Sequence, residues 1–129
     1  MTILCFEGGG GDRERLASKA LLLLALSELM TAARMTPIGE PEAGFHTAAS
    51  EIDSGPSAYR LMAESNVSLH AFPNAGYLMG TVASCKPIAD VDGALEGLRR
   101  RFGLGWMRHQ LVDIGTLPSL QRTLEGWRR

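Results

Sequence analysis

Polar and apolar positions alternate cleanly over residues 66–72, NVSLHAF. Val67, Leu69 and Ala71 fall on one side; Asn66, Ser68 and His70 fall on the other. A period of two marks a strand with one buried face. Less regular versions predict strands at 45–50 (FHTAAS), 57–64 (SAYRLMAE), 77–85 (YLMGTVASC) and 106–114 (WMRHQLVDI), with DSGP and PNAG as turns. The apolar run TILCF, 2–6, predicts a buried strand. A helical period runs from Arg13 to about Ala33, with Asp12 as N-cap and Leu16, Ala17, Ala20, Leu21 and Leu24 as the buried stripe. Leu22, Leu23 and Leu26 widen that stripe, so this helix is expected to pack on a sheet and on something else. A second helix is predicted over 90–103, capped by Asp90 and ended at Gly103. EGGGGD, and MTPIGEPEAG with Pro37 and Pro41, predict loops. The tail, 116–129, reads as a short helix or a disordered end.

The order β-α-β-β-β-β-α-β predicts an α+β fold: a two-layer α/β sandwich with a mostly antiparallel sheet and two helices on one face. A length of 129 residues fits a single domain, 1–129. The formal charge of −1 argues against nucleic acid as the main partner. Seven of the 13 Lys/Arg fall in the last 31 residues, but Arg99-Arg100-Arg101 reads as a solvated helix C-terminus rather than a phosphate site. Two cysteines, Cys5 and Cys85, make no disulfide framework. The longest apolar run, ALLLLAL, is far below the ~20 residues of a membrane span. With no signal-type leader visible, a cytoplasmic protein with reduced thiols is expected and a membrane partner is not.

Several familiar chemistries fail on spacing. The glycine run follows a strand and precedes a helix, yet Asp12-Arg13-Glu14-Arg15 fits neither dinucleotide- nor phosphate-loop patterns, so a flexible connector is expected. His46, His70, His109 and Cys85 have no metal-site spacing, so no metal is expected. No Gly-x-Ser-x-Gly elbow occurs. What remains is Glu64, Ser65, His70 and Cys85 around two successive strands. On pattern alone, these are polar residues on the wet face of a sheet.

The stretch GPSAYRLMAESNVSLHAFPNAGYLMGTVASC resembles the self-processing, pyruvoyl-dependent S-adenosylmethionine decarboxylases of bacteria and archaea. The likeness runs from about Phe6 to Asp113. It rests on the Ser57–Ser65–His70–Cys85 spacing, the Ala-Glu-Ser strand, the aromatic-Pro turn and the Gly-Tyr after it. The resemblance implies a proenzyme in which the Ser65 hydroxyl attacks the Glu64 carbonyl. An N-to-O acyl shift and a β-elimination then give a β chain, 1–64, and an α chain, 65–129, headed by a pyruvoyl group made from Ser65. It implies that Ser57 assists processing and that His70 removes the serine α-hydrogen, work that suits an imidazole. The pyruvoyl cofactor would form a Schiff base with the substrate and accept electrons as carbon dioxide leaves. Cys85 would return the proton; the bland alternative is a small buried hydrophobe. Phe72 and Asn74 fall at the substrate-binding positions. A homodimer of αβ protomers is implied, with active sites near the interface.

Three departures stand out. Asn66 replaces the family's usual His, Phe72-Pro73-Asn74 replaces Trp-Pro-Glu, and EGGGG replaces a short Gly-Cys segment. The processing set is intact while a carboxylate tied to substrate recognition is gone. Asn74 cannot offset a sulfonium charge. Three functions therefore stay open: an S-adenosylmethionine decarboxylase serving spermidine and polyamine synthesis, a relative acting on a basic amino acid such as ornithine or arginine, and a silent homologue serving as a partner subunit.

Overall fold

The computed structural model describes residues 1–114. The expected tail element at 116–129 lies outside the described residues. The elements are β1 (Thr2–Gly9), α1 (Arg13–Leu16), α2 (Lys19–Ala32), β2 (Pro37–His46), β3 (Gly55–Met62), β4 (Ser65–Phe72), β5 (Tyr77–Ser84), α3 (Val91–Phe102) and β6 (Trp106–Asp113). The strands form one six-stranded sheet in the order β2-β3-β4-β5-β1-β6. Every neighbouring pair is antiparallel. The two-layer α+β sandwich expected from the sequence is the fold observed.

The core lies between one sheet face and the helices. Leu4, Phe6, Val67, Leu69, Leu78 and Val82 meet Leu22, Leu26, Leu29, Leu98 and Phe102, all buried. The alternation of β4 holds: Val67, Leu69 and Ala71 are buried, whereas Asn66, Ser68, His70 and Phe72 are only half-buried. No described helix covers the second sheet face. It carries exposed Ile38, Tyr59, Leu61, Met79 and Val112 between polar neighbours.

Four local expectations are corrected. The helix predicted from Arg13 to Ala33 breaks at Ala17–Ser18, where the Ser18 hydroxyl accepts the Leu21 N–H at 3.1 Å and starts a new helix. That break resets the helical phase. The buried set becomes Leu16, Leu22, Ala25, Leu26, Leu29 and Met30, while Leu24 is 44% exposed. The predicted loop at 35–44 is mostly strand, and the strand placed at 45–50 is only its end. β2 is an edge strand, so Pro37 and Pro41 need donate no ladder hydrogen bond. Gly39, at φ +66°, occupies the register shift between Ile38 and Glu42. The glycine run, read as a connector, instead begins as strand: Gly8 and Gly9 pair with Met107 and Trp106. A Cβ on Gly9 would lie 2.6 Å from the Trp106 indole, so glycine is what lets the ring close over the backbone.

The second helix follows expectation. The Asp90 carboxylate accepts the Gly93 N–H at 3.1 Å, and Gly103 ends the helix at φ +63°. Its arginines are solvated and locally paired, Arg99 and Arg100 with Glu96 and Arg101 with Glu28. Among the described residues, no helix is long and apolar enough to cross a membrane.

Gly80 is crowded from within the sheet: a Cβ there would lie 2.4 Å from the Ser68 carbonyl oxygen and 2.5 Å from the Phe6 ring. Gly80→Ala is expected to cost about 1–3 kcal/mol through this overpacking. A lowered urea midpoint with an unchanged m-value is the signature to look for.

Candidate active site

Two polar clusters lie at opposite ends of β4. The first surrounds the β3–β4 turn. Register pairs Met62 with Ser65, leaving Ala63 and Glu64 to make the turn. Two backbone hydrogen bonds hold it: Ala63 N–H to Thr36 C=O at 2.8 Å, and Cys85 N–H to Glu64 C=O at 2.9 Å. The second of these polarises the carbonyl that precedes Ser65. The Glu64 side chain is 9% exposed and accepts the Thr36 N–H at 2.6 Å, with Lys86 Nζ 3.7 Å from its other oxygen. The Thr36 N–H, aided by the Lys86 charge, holds the Glu64 carboxyl below its ordinary pKa. The Asn66 amide donates to Ser65 Oγ at 3.2 Å. Cys85 is a free thiol, half-buried, one residue past the Ser84 that pairs with Ser65.

The second cluster lies on the open sheet face. Ser57 pairs with His70 across β3 and β4, and Ser57 Oγ is 2.8 Å from His70 Nδ1. That contact fixes the ring plane and leaves the other ring nitrogen for chemistry. His70 opens onto a groove of about 620 Å³, whose lining includes Cys5, Glu7, Tyr77, Met79 and Arg108. The register aligns four of the side chains in one row: His70 opposite Met79, Met79 opposite Glu7, and Glu7 opposite Arg108. The Glu7 carboxylate accepts from the Tyr77 hydroxyl and from Arg108. Those two contacts, Tyr77 first, lower the Glu7 pKa, while burial and Glu7 push the Tyr77 phenol up to about 12. Tyr77 also meets Phe72, with ring centroids 5.7 Å apart.

The expected residues are therefore sorted. Glu64, Ser65 and Cys85 converge at one end of the strand; Ser57 and His70 converge in the groove. Phe72 reaches the groove through Tyr77. Asn74 does not line it, since its amide donates to the Glu51 carbonyl at 3.0 Å. The sequence reading missed Thr36 and Lys86, which clamp Glu64, and the Glu7–Tyr77–Arg108 set. Thr36 acts through its backbone and leaves no mark in sequence. Glu7 had a mark: it extends the alternation of Ile3 and Cys5, which the glycine run cut short.

A depressed carboxyl pKa stabilises the fold above its unfolded value, and the gain is lost as pH falls through the folded value. Glu64→Gln, made in a Ser65→Ala chain that cannot split, is therefore expected to lower the urea midpoint at pH 7. The difference should close as pH drops below the ordinary carboxyl range.

Residues 2–114 match the model of the S-adenosylmethionine decarboxylase family. A solved adenosylmethionine decarboxylase from Aquifex aeolicus superposes with a TM-score of 0.66 at 16% identity, covering 89% of this chain and 94% of that one. At that identity the likeness speaks for the fold. Among curated proteins no relative matches. The family match, spanning both polar clusters and the whole described sheet, identifies the chain as a member of the S-adenosylmethionine decarboxylase family of carboxy-lyases.

Proposed function

We propose that the chain is a proenzyme that splits itself at Glu64–Ser65 and then decarboxylates S-adenosylmethionine. The observation that carries this reading is the 2.9 Å hydrogen bond from the Cys85 N–H to the Glu64 carbonyl. As Ser65 Oγ adds to that carbonyl carbon, the oxygen takes on negative charge, and a fixed donor already faces it. Collapse breaks the C–N bond, frees the Ser65 amine and leaves an ester between Glu64 and Ser65 Oγ. Removal of the Ser65 α-hydrogen expels the Glu64 carboxylate and leaves a dehydroalanine end, which tautomerises. Water then releases ammonia and gives the pyruvoyl group. The turn fits this group: its carbonyl has a donor, its serine has an amide neighbour in Asn66, and the Cys85 thiol is one residue from the strand partner of Ser65. When formed, it supplies an electron sink for the departing carboxyl. Cys85 holds the proton that replaces carbon dioxide. Spermidine and polyamine synthesis would use the product.

The α-hydrogen needs a base, and His70 is the family's match. Within one chain it cannot serve. Five residues of extended strand separate Ser65 from His70, about 17 Å at ~3.4 Å per residue. We infer that the base comes from a second copy whose open sheet face packs against this one. The exposed Ile38, Tyr59, Leu61, Met79 and Val112 give that face its apolar content. The working unit is then a homodimer of αβ protomers, with each site built from both copies.

Intact-mass spectrometry should find two chains, each about half of the 13.9 kDa total, with the second lacking its terminal amine. Ser65→Ala should stay whole. Cys85→Ala should still split but lose roughly 10²- to 10⁴-fold in carbon dioxide release, the usual worth of a positioned proton donor.

The shared site gives a sharper test. Ser65→Ala and His70→Ala chains should each stay unsplit alone. Co-expressed in equal amounts and assorting at random, half of the His70→Ala chains enter mixed dimers, each with one intact site, so up to half of all His70→Ala chains should cleave. No cleavage in the mixture would remove the two-copy base.

A further inference from the structure

Among the described residues lining the His70 groove, Glu7 is the only carboxylate. At the β4–β5 turn, Asn74 carries no charge, and its amide is occupied with the Glu51 carbonyl. We propose that Glu7 is the specificity residue of this groove and that it reads a fixed positive charge, the sulfonium of an adenosyl substrate. The inference rests on the decarboxylase reading above and names the contact that selects its substrate.

Geometry sets the distance. Glu7 and His70 flank Met79 in one register row, two strand spacings apart, about 10 Å. A substrate running from the reacting centre towards Glu7 would cross the Met79 side chain and the Phe72–Tyr77 ring pair, both apolar. A sulfonium carries no N–H or O–H, so it can be recognised only through charge and contact. The groove sets the Glu7 carboxylate beside the Met79 side chain and the Tyr77 ring, and a charge next to apolar contact suits the sulfonium.

Arg108 already neutralises Glu7, but weakly. Its side chain is 77% exposed, so water and salt screen the pair. The guanidinium also sits 5.8 Å from the Trp106 ring centroid, so it has a resting place once displaced. Tyr77 holds the other carboxylate oxygen from a part-buried position and keeps Glu7 aimed while Arg108 moves. The guanidinium acts as a stand-in cation that the substrate replaces.

The matched probes are 5′-methylthioadenosine and its S-methyl sulfonium, which differ by one methyl group and one charge. Both are titrated by calorimetry into processed wild-type, Glu7→Gln and Arg108→Gln protein. Wild type should prefer the sulfonium by about tenfold or more, equivalent to ~1.4 kcal/mol. Glu7→Gln should bring the ratio near unity and leave the neutral probe within about threefold. Arg108→Gln, which removes the competitor, should widen the ratio. This variant also decides the matter if Glu7→Gln fails to fold. A wild type without preference, or a Glu7→Gln ratio equal to wild type, overturns the inference. Decarboxylation of S-adenosylmethionine is measured on the same samples. Turnover with an unchanged ratio sinks the Glu7 role alone. A Glu7-dependent ratio without turnover supports Glu7 and sinks the decarboxylase reading.

Discussion

The register of β4 between β3 and β5 is the constraint on which the two clusters depend. Val67, Leu69 and Ala71 face the helices and are buried, so a slip of one residue would turn them outwards and bury Asn66, Ser68 and His70. Burying three polar groups without partners while exposing three apolar ones costs several kcal/mol. The correct pairing is therefore strongly favoured. Once it is set, Ser57 stands opposite His70, Ser65 opposite Ser84, and Glu64 reaches the Cys85 N–H. Core packing thus positions polar groups that contribute little to the core.

The same register decides what β1 adds to the open face. β1 runs on through Glu7, Gly8 and Gly9, so its open-face positions reach into the row that holds His70. The two glycines make this possible. Side chains at 8 and 9 would strike Leu104 and Trp106. The strand thus runs on through residues without side chains and carries the Glu7 carboxylate beside them into the groove.

Much of the architecture was legible because it rests on period and caps. The β4 alternation, the Asp90 and Gly103 ends of α3, and the turns at 73–76 all have local causes. β2 was hidden because Pro37, Pro41 and Gly39 signal a loop everywhere except at a sheet edge, and edge position is a tertiary fact. The first helix was misphased for a similar reason. Ser18 can sit inside a helix or cap one, and only its hydrogen bond to Leu21 decides which. The site was half legible. The family resemblance pointed to Ser57, Glu64, Ser65, His70 and Cys85, but it could not show that they divide into two clusters at opposite ends of β4. The Thr36 clamp on Glu64 could not be read at all, because its donor is a backbone amide.

Splitting the chain raises a physical problem that the topology answers. Cleavage after Glu64 would put β1, β2 and β3 in one piece and β4, β5 and β6 in the other. Two such halves could drift apart if each formed its own sheet. They would not, because β1 lies between β5 and β6 while β3 lies against β4. Three of the five strand pairings therefore join residues of different pieces: β3–β4, β1–β5 and β1–β6. The core is shared in the same way, with Leu4, Leu26 and Leu29 from one piece against Val82, Leu98 and Phe102 from the other. Losing the link gives up the chain's own effective concentration, yet separating the pieces would expose nearly the whole core to water. The order of events follows. The carbonyl is polarised only when β5 brings the Cys85 N–H alongside, so in the proposed cleavage the sheet would assemble before the bond broke, and the pieces would by then be interleaved.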